Sequence, residues 1–112
     1  MIKRMLQQAE SVQYRSSGNS LSPLVWSGDC CILAPVWDPA LLVPYDVVFC
    51  EVQPGNRFYT HYILRIEWET AAASSAATGE PKRKFIIGNA RRYENGHCYD
   101  EHIYGRLVEV YH

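Results

Sequence analysis

Three features are missing from this sequence: a Cys-x-x-Cys pair, an excess of charge of either sign, and a long apolar run. The four cysteines, Cys30, Cys31, Cys50 and Cys98, are spaced in a way that favours free thiols in a reducing compartment over a disulfide framework or a zinc site. The formal net charge of −1 offers no general attraction to phosphate backbones. We therefore expect no metal, no cofactor and no nucleic-acid partner.

The apolar residues are too scattered to cross a membrane as a helix. No run approaches the roughly 20 residues that a bilayer requires. The first ten residues, MIKRMLQQAE, are too polar for a signal peptide and place their apolar side chains at helical spacing. The sequence thus predicts a short amphipathic amino-terminal helix, no membrane anchor and a cytoplasmic location.

The composition is that of a folded domain. The chain has 112 residues, of which 47% are hydrophobic, and this size and content suit one compact domain spanning residues 1–112. One stretch, TAAASSAATG, is of low complexity and lacks apolar periodicity. We expect a flexible excursion between strands at about residues 70–81.

Most of the remaining chain predicts β-structure. Strands are expected at 11–15, 30–35, 46–52, 57–69, 84–87 and 103–112, from period-2 alternation, β-branched or aromatic runs and flanking turn residues. Pro54-Gly55-Asn56 predicts a hairpin turn, and residues 88–96 are expected to form a loop. Strict alternation would place His61 with Tyr59, Ile63, Arg65 and Glu67 on one face of the strand 57–69. The fold class is therefore mainly β, with a small helical share.

Two side chains of this pattern suit acyl transfer. Ser20 follows the turn residues Gly18-Asn19 and precedes Pro23, so its hydroxyl lies at the end of a strand on a stiffened backbone. His61 lies in the middle of a strand, where the pleat fixes its direction. A serine needs such a base within hydrogen-bond reach to act as a nucleophile. A turn serine and a polar strand histidine without catalytic role remain the alternative interpretation.

The order of the motifs resembles the LexA and signal-peptidase superfamily of serine peptidases. The segments that carry the likeness are, in chain order, GNSLSP at 18–23, GD at 28–29, DVV at 46–48, HYI at 61–63, GNA at 88–90 and GRLV at 105–108. The likeness runs from about Val12 to Val110. It implies a LexA/signal-peptidase-like β-fold of coiled antiparallel strands and hairpins with a short amino-terminal helix.

The resemblance also assigns roles to individual residues. Ser20 stands at the nucleophile and His61 at the general base, as in the archaeal and endoplasmic-reticulum signal peptidases, where the base is histidine. Gly18 and Asn19 match the approach to the nucleophile, the backbone N–H of Ser20 would contribute to the oxyanion hole, and Leu21 replaces the usual methionine. Tyr45 replaces a glycine of the family pattern.

A third catalytic residue is expected a few positions beyond the GNA segment. The family's histidine branch places an acid there to orient the base, and the candidates in this chain are Glu94, Asn95 and Asp100. An asparagine could fix the tautomer of the imidazole, but it would not stabilise the imidazolium as a carboxylate does.

These observations leave two functions open. The first is a stand-alone serine endopeptidase that cleaves a peptide or protein substrate at small residues with a Ser20–His61 dyad, which would suit a phage or mobile-element protein. The second is an inactive peptidase-fold module that binds a protein partner. A third interpretation is a homodimer that pairs through residues 107–111, because members of the LexA branch pair through their carboxy-terminal strands.

Overall fold

The computed structural model describes residues 2–18, 20–69 and 82–112. It contains one short helix, α1 (Ile2–Gln7), and two 3₁₀ helices, Pro39–Leu41 and Asp100–His102. The strands are β1 (Val12–Arg15), β2 (Cys30–Pro35), β3 (Val47–Val52), β4 (Arg57–Glu69), β5 (Lys82–Gly88), β6 (Glu94–Cys98) and β7 (Ile103–Tyr111). The prediction of a mainly β fold with a short amino-terminal helix is therefore confirmed.

All seven strands belong to one antiparallel sheet that curls on itself. The order of neighbouring strands is β1-β2-β7-β3-β4-β5-β6. At the end of β3, Gln53 exchanges two backbone hydrogen bonds with His97 of β6, with N···O distances of 2.8 and 2.9 Å. This bridge closes β3 to β6 into a small barrel.

Closure of the barrel depends on a glycine. A Cβ atom added at Gly96 would lie 2.0 Å from the carbonyl oxygen of Gln53, which is a prohibitive overlap with backbone. Gly96 also has a φ of +148°. Since only glycine tolerates both the close approach and this dihedral, residue 96 lets β6 cross beside β3.

The barrel encloses the main hydrophobic core. The buried side chains of this cluster come from β3, β4, β5, β6 and the neighbouring segments, and they are Leu42, Val48, Cys50, Val52, Ile63, Phe85, Ile87, Cys98 and Ile103. Each large apolar side chain buried in this way contributes about 1.5–3 kcal/mol to folding. The barrel is thus a rigid support for residues on its rim.

Two smaller clusters pack outside the barrel. Leu6 of α1 lies against Val12, Leu33 and Phe49, which fixes the helix on the sheet. Leu21 and Val25, from the turn after β1, pack against Cys31 and Val47. The second cluster anchors the Ser20 turn to the strands.

The structure corrects two of the predicted local features. Residues 88–96, expected to form a loop, contribute the first residues of β6, because pairing with β5 overrides the weak strand preference of Glu94-Asn95-Gly96. In β4 the strict alternation is wrong beyond Ile63: the register shifts at Leu64, so Ile63 and Ile66 contact the same core. An extra residue in a strand moves the side chains of all later residues in that strand to the opposite face of the sheet.

Other expectations have mixed outcomes. The predicted flexible excursion at about residues 70–81 lies outside the described residues. Among the residues that are described, all four cysteines are free, no group of side chains could hold a metal ion, and no helix is long and apolar enough to cross a bilayer.

Candidate active site

The structure brings three polar side chains together at the rim of the barrel. Ser20 Oγ lies 3.1 Å from Nε2 of His61, and Nδ1 of the same ring lies 2.7 Å from Oδ1 of Asn95. Both distances are within hydrogen-bond range. The three residues come from the turn after β1, from the middle of β4 and from β6, so that only the folded chain assembles them.

The turn that carries Ser20 is closed at its base by hydrogen bonds. Ser16 donates from its backbone N–H to the carbonyl of Asp29, and it accepts from the N–H of Gly28, both at 2.9 Å. The carboxylate of Asp29 accepts the N–H of Trp26 at 2.8 Å. These bonds bring the two ends of the turn together and hold its tip above the sheet.

The tip itself is held on two sides. The side chain of Leu21 is buried in the cluster beneath the turn, and its carbonyl accepts the Tyr62 hydroxyl at 3.4 Å. The carbonyl of Ser20 accepts the N–H of Ala90, from the β5–β6 connection, at 2.7 Å. The position of the Ser20 hydroxyl is therefore set by core packing and by backbone hydrogen bonds.

His61 is fixed by the sheet and by an aromatic neighbour. It pairs with Val48 across β3 and β4, and its ring centroid lies 4.8 Å from that of Tyr59. Asn95 reaches the other side of the ring because β6 curls back beside β3 at the bridge between Gln53 and His97. Barrel closure is thus the reason that residue 95 meets residue 61.

The contacts of the His61 ring define its tautomer. Oδ1 of Asn95 is an acceptor, so Nδ1 carries the proton and donates it to this oxygen. Nε2 is then unprotonated and accepts the hydroxyl proton of Ser20. Burial lowers the pKa of His61, and the hydrogen bond that the ring donates to Asn95 opposes this shift in part. The ring is therefore kept neutral at physiological pH, as a general base must be.

The two carboxylates expected at the third position lie elsewhere. Glu94 forms an ion pair with Arg65, with 2.5 Å between Oε1 and Nη1. Asp100 begins the 3₁₀ helix before β7, and its charged neighbours are Arg83, Lys82, Glu101 and Asp38. Within the described residues, the ring partners of His61 are Ser20 and Asn95, so the expected acid is corrected to an amide. Adjacent strand residues point to opposite faces, which turns Glu94 away when Asn95 faces the ring.

The residues beside the nucleophile, which were expected to contact the substrate or the oxyanion, have different outcomes. Gly18 has a φ of +78° with open space around it, as expected of a turn glycine. Leu21 directs its side chain into the core, so its contribution to substrate contact would be limited to the backbone. Asn19 lies outside the described residues. The oxyanion role of the Ser20 N–H stays a prediction.

Two open cavities border this region, one with Asn95 in its wall and one beside the turn that carries Ser20. The first, of about 430 Å³, is lined by Arg57, Tyr59, Tyr93, Asn95 and neighbouring residues. The second, of about 230 Å³, lies beside the Ser20 turn and is lined by Ser22, Pro23, Tyr45, Tyr62, Leu64, Asn89, Ala90 and Arg92.

Tyr45 has a strained backbone at the edge of the second cavity. Its φ is +72°, in the left-handed region that favours glycine, and a bulky residue held there costs about 1–3 kcal/mol. Its N–H donates to the carbonyl of Ile63 at 2.7 Å, and the N–H of Ile63 donates to the carbonyl of Asp46 at 2.8 Å. These bonds to β4 hold the strained residue in place.

A second histidine cluster, which the sequence did not indicate, lies at the base of the Ser20 turn. Nδ1 of His112 lies 2.7 Å from Oδ2 of Asp29, the oxygen that also accepts the N–H of Trp26. The Trp26 N–H is the main cause of the lowered pKa of Asp29, and His112 adds to it. The only signals in the sequence were Gly28-Asp29 and a histidine 83 positions later, and such a long-range contact cannot be inferred from spacing.

Comparisons of the chain with protein-family models, with curated proteins and with solved structures found no match. The geometry of the site and the motif order of the sequence are therefore the grounds for a functional assignment.

Proposed function

We propose that the chain is a serine endopeptidase of the LexA and signal-peptidase type, with Ser20 as nucleophile, His61 as general base and Asn95 as the residue that orients the base. The observation that carries the proposal is the continuous chain of hydrogen bonds from Ser20 Oγ through both ring nitrogens of His61 to Asn95 Oδ1. Acyl transfer requires a nucleophile, a base and a group that orients the base, linked by hydrogen bonds in this order.

The mechanism follows from the protonation states. As Ser20 Oγ attacks a peptide carbonyl, Nε2 of His61 takes the hydroxyl proton, and a tetrahedral oxyanion forms. The imidazolium then gives this proton to the leaving amine, the C–N bond breaks and the acyl chain remains on Ser20 as an ester. Water attacks the ester with the same histidine as base, which releases the acid and restores the hydroxyl.

Asn95 has a narrower role than a carboxylate would have. Its oxygen keeps the Nδ1 proton in place, so that Nε2 is available to Ser20. A neutral amide does not compensate the positive charge of the imidazolium. We therefore expect a slow enzyme whose base is well oriented.

The decisive experiment is active-site labelling of the full chain with a fluorophosphonate probe, which forms a covalent bond with an activated serine. We expect labelling of the wild type at Ser20, none of Ser20→Ala, and strongly reduced labelling of His61→Ala. Cleavage of a quenched peptide should fall by about 10⁴-fold or more in Ser20→Ala, since the loss of a nucleophile removes the covalent route. Ser27→Ala, an exposed serine in the same turn, is the matched control and should behave as the wild type.

One observation favours a second function. The amide at position 95 is what a site that has lost its acid would show, and an inactive module that binds a protein partner would tolerate it. Equal labelling of wild type and Ser20→Ala, with the thermal stability unchanged, would contradict the peptidase and favour the module. Partner binding by such a module should survive both Ser20→Ala and His61→Ala.

A further inference from the structure

The smaller of the two cavities adjoins the turn that carries Ser20 through three connections. Ser22 and Pro23, in its wall, follow Ser20 in the same turn. Ala90, also in its wall, donates its N–H to the carbonyl of Ser20. Tyr62 follows His61 in β4, and its hydroxyl donates to the carbonyl of Leu21. The cavity therefore borders the turn that would hold a substrate bond at Ser20.

The lining of this cavity combines aromatic and aliphatic side chains with the polar residues Ser22 and Asn89. The rings of Tyr45 and Tyr62 meet edge to face, with centroids 6.5 Å apart, and Leu64 adds an aliphatic surface. Among the described residues in the wall, Arg92 is the one with a charge. Tyrosine rings attract a further ring through offset or edge contacts, and a guanidinium is attracted to the face of a ring.

The size of the cavity also favours a large side chain. Its volume is about 230 Å³, whereas a dry apolar cavity of about 150 Å³ is sufficient to hold benzene. An alanine methyl group would leave most of this space without contacts, and unfilled space forfeits dispersion energy. A phenyl or phenol ring would fill more of it.

Tyr45 supplies the strongest reason to assign a function to this cavity. It is strained at φ +72° where glycine would be unstrained, and its side chain is 57% exposed, so the ring does not repay the strain by core burial. Backbone outliers of this kind cluster at active sites and ligand-binding positions, where the surrounding structure holds them in place. The ring of Tyr45 stands in the wall beside the turn that carries Ser20.

From these observations we propose that this cavity is the specificity pocket of the Ser20 site and that it takes an aromatic side chain next to the cleaved bond, with Tyr45 as the specificity-determining residue. The proposal rests on the proposed peptidase function and replaces the small substrate residues that the resemblance implies. Tyr62 and Leu64 form the remaining walls, and Arg92 lies over the bound ring.

The test uses the full chain and a set of quenched alanine-rich peptides in which one phenylalanine moves through the positions on either side of the centre. We expect one position at which phenylalanine raises kcat/KM about tenfold over alanine. Tyr45→Gly should reduce this ratio to about one without lowering the melting temperature, since glycine adopts φ +72° without strain. Trp37→Ala, which removes an exposed ring at a distant cavity, is the control and should keep the ratio.

Binding of the same peptides to Ser20→Ala, measured by calorimetry, makes the pocket testable apart from turnover. The expected preference for the phenylalanine peptide should again disappear when Tyr45→Gly is added. Cleavage that depends on Ser20 but prefers alanine at every position would overturn the pocket and leave the peptidase intact. Aromatic binding that depends on Tyr45, with no cleavage that depends on Ser20, would contradict the peptidase and retain the pocket as a binding site.

Discussion

In two histidines of this chain, the Nδ1 atom makes a hydrogen bond of the same length, but the partner is an amide in one case and a carboxylate in the other. Nδ1 of His61 lies 2.7 Å from an amide oxygen of Asn95, and Nδ1 of His112 lies 2.7 Å from a carboxylate oxygen of Asp29. The better partner for an imidazolium is therefore at the ring that makes no hydrogen bond to a serine hydroxyl among the described residues. What distinguishes the two rings is the other nitrogen, since Nε2 of His61 faces the Ser20 hydroxyl.

Burial explains the second difference between the clusters. The His61 ring is partly buried, and desolvation lowers its pKa, whereas the side chain of His112 is 63% exposed. The Asp29 carboxylate also holds the N–H of Trp26, so it acts on the backbone of the Ser20 turn. We infer that the His61 cluster is arranged for proton transfer and the His112 cluster for holding the turn that presents Ser20.

The largest effect on activity is expected from substitutions of Asn95. Asn95→Ala removes the acceptor of the Nδ1 proton, so the ring can rotate or change its tautomer. We expect kcat/KM to fall by about 10- to 100-fold, which corresponds to about 1.4–2.7 kcal/mol. Asn95→Asp retains the acceptor and adds a charge that stabilises the imidazolium, so it should be at least as active as the wild type. Peptide hydrolysis by the three proteins measures this order.

A purely structural role for Asn95 would give a different result. If both variants lost activity in proportion to a loss of thermal stability, the orientation of His61 would not be the cause. The melting temperatures of the three proteins provide the control, and a variant that is equally stable but slower supports positioning.

A smaller effect is expected in the pH dependence of activity. The base must be neutral, and burial lowers the pKa of His61, so the acid limb of kcat/KM should lie below the ordinary histidine value of about 6.5. Asn95→Asp should move this limb to higher pH, because a carboxylate beside the ring favours its charged form. An NMR titration of the His61 ring should give the same direction, and a limb that does not respond to Asn95→Asp would exclude His61 as the base.

Ser20 and His61 could be selected from the sequence as candidates because both stand in local patterns. Ser20 follows a glycine turn that ends a strand, and His61 lies within a long run of alternating residues whose bounds, Arg57–Glu69, match the prediction. The third residue could not be anticipated, because the choice between Glu94, Asn95 and Asp100 depends on barrel closure. The Gln53–His97 bridge and the close approach at Gly96 set the face of β6, and a shift by one residue would have presented Glu94.

The smallest effects should come from the His112 cluster, and they should be effects on stability. Asp29→Asn weakens a charged acceptor of the Trp26 N–H, so we expect a lower melting temperature at neutral pH. The folded-state pKa of Asp29 lies below its unfolded value, so its contribution is present above the unfolded pKa and lost as the pH falls through the folded pKa. The gap in melting temperature between wild type and Asp29→Asn should therefore narrow in acid.

His112→Ala provides the contrast to Asp29→Asn within the same cluster. It removes only the exposed partner, while the hydrogen bond from Trp26 to Asp29 remains, so the melting temperature should change less than in Asp29→Asn. Labelling of Ser20 should be unchanged in His112→Ala, because this ring does not contact Ser20, His61 or Asn95 among the described residues. A loss of labelling without a loss of stability would show that the His112 cluster acts on catalysis. The separate roles inferred for the two histidine clusters would then be wrong.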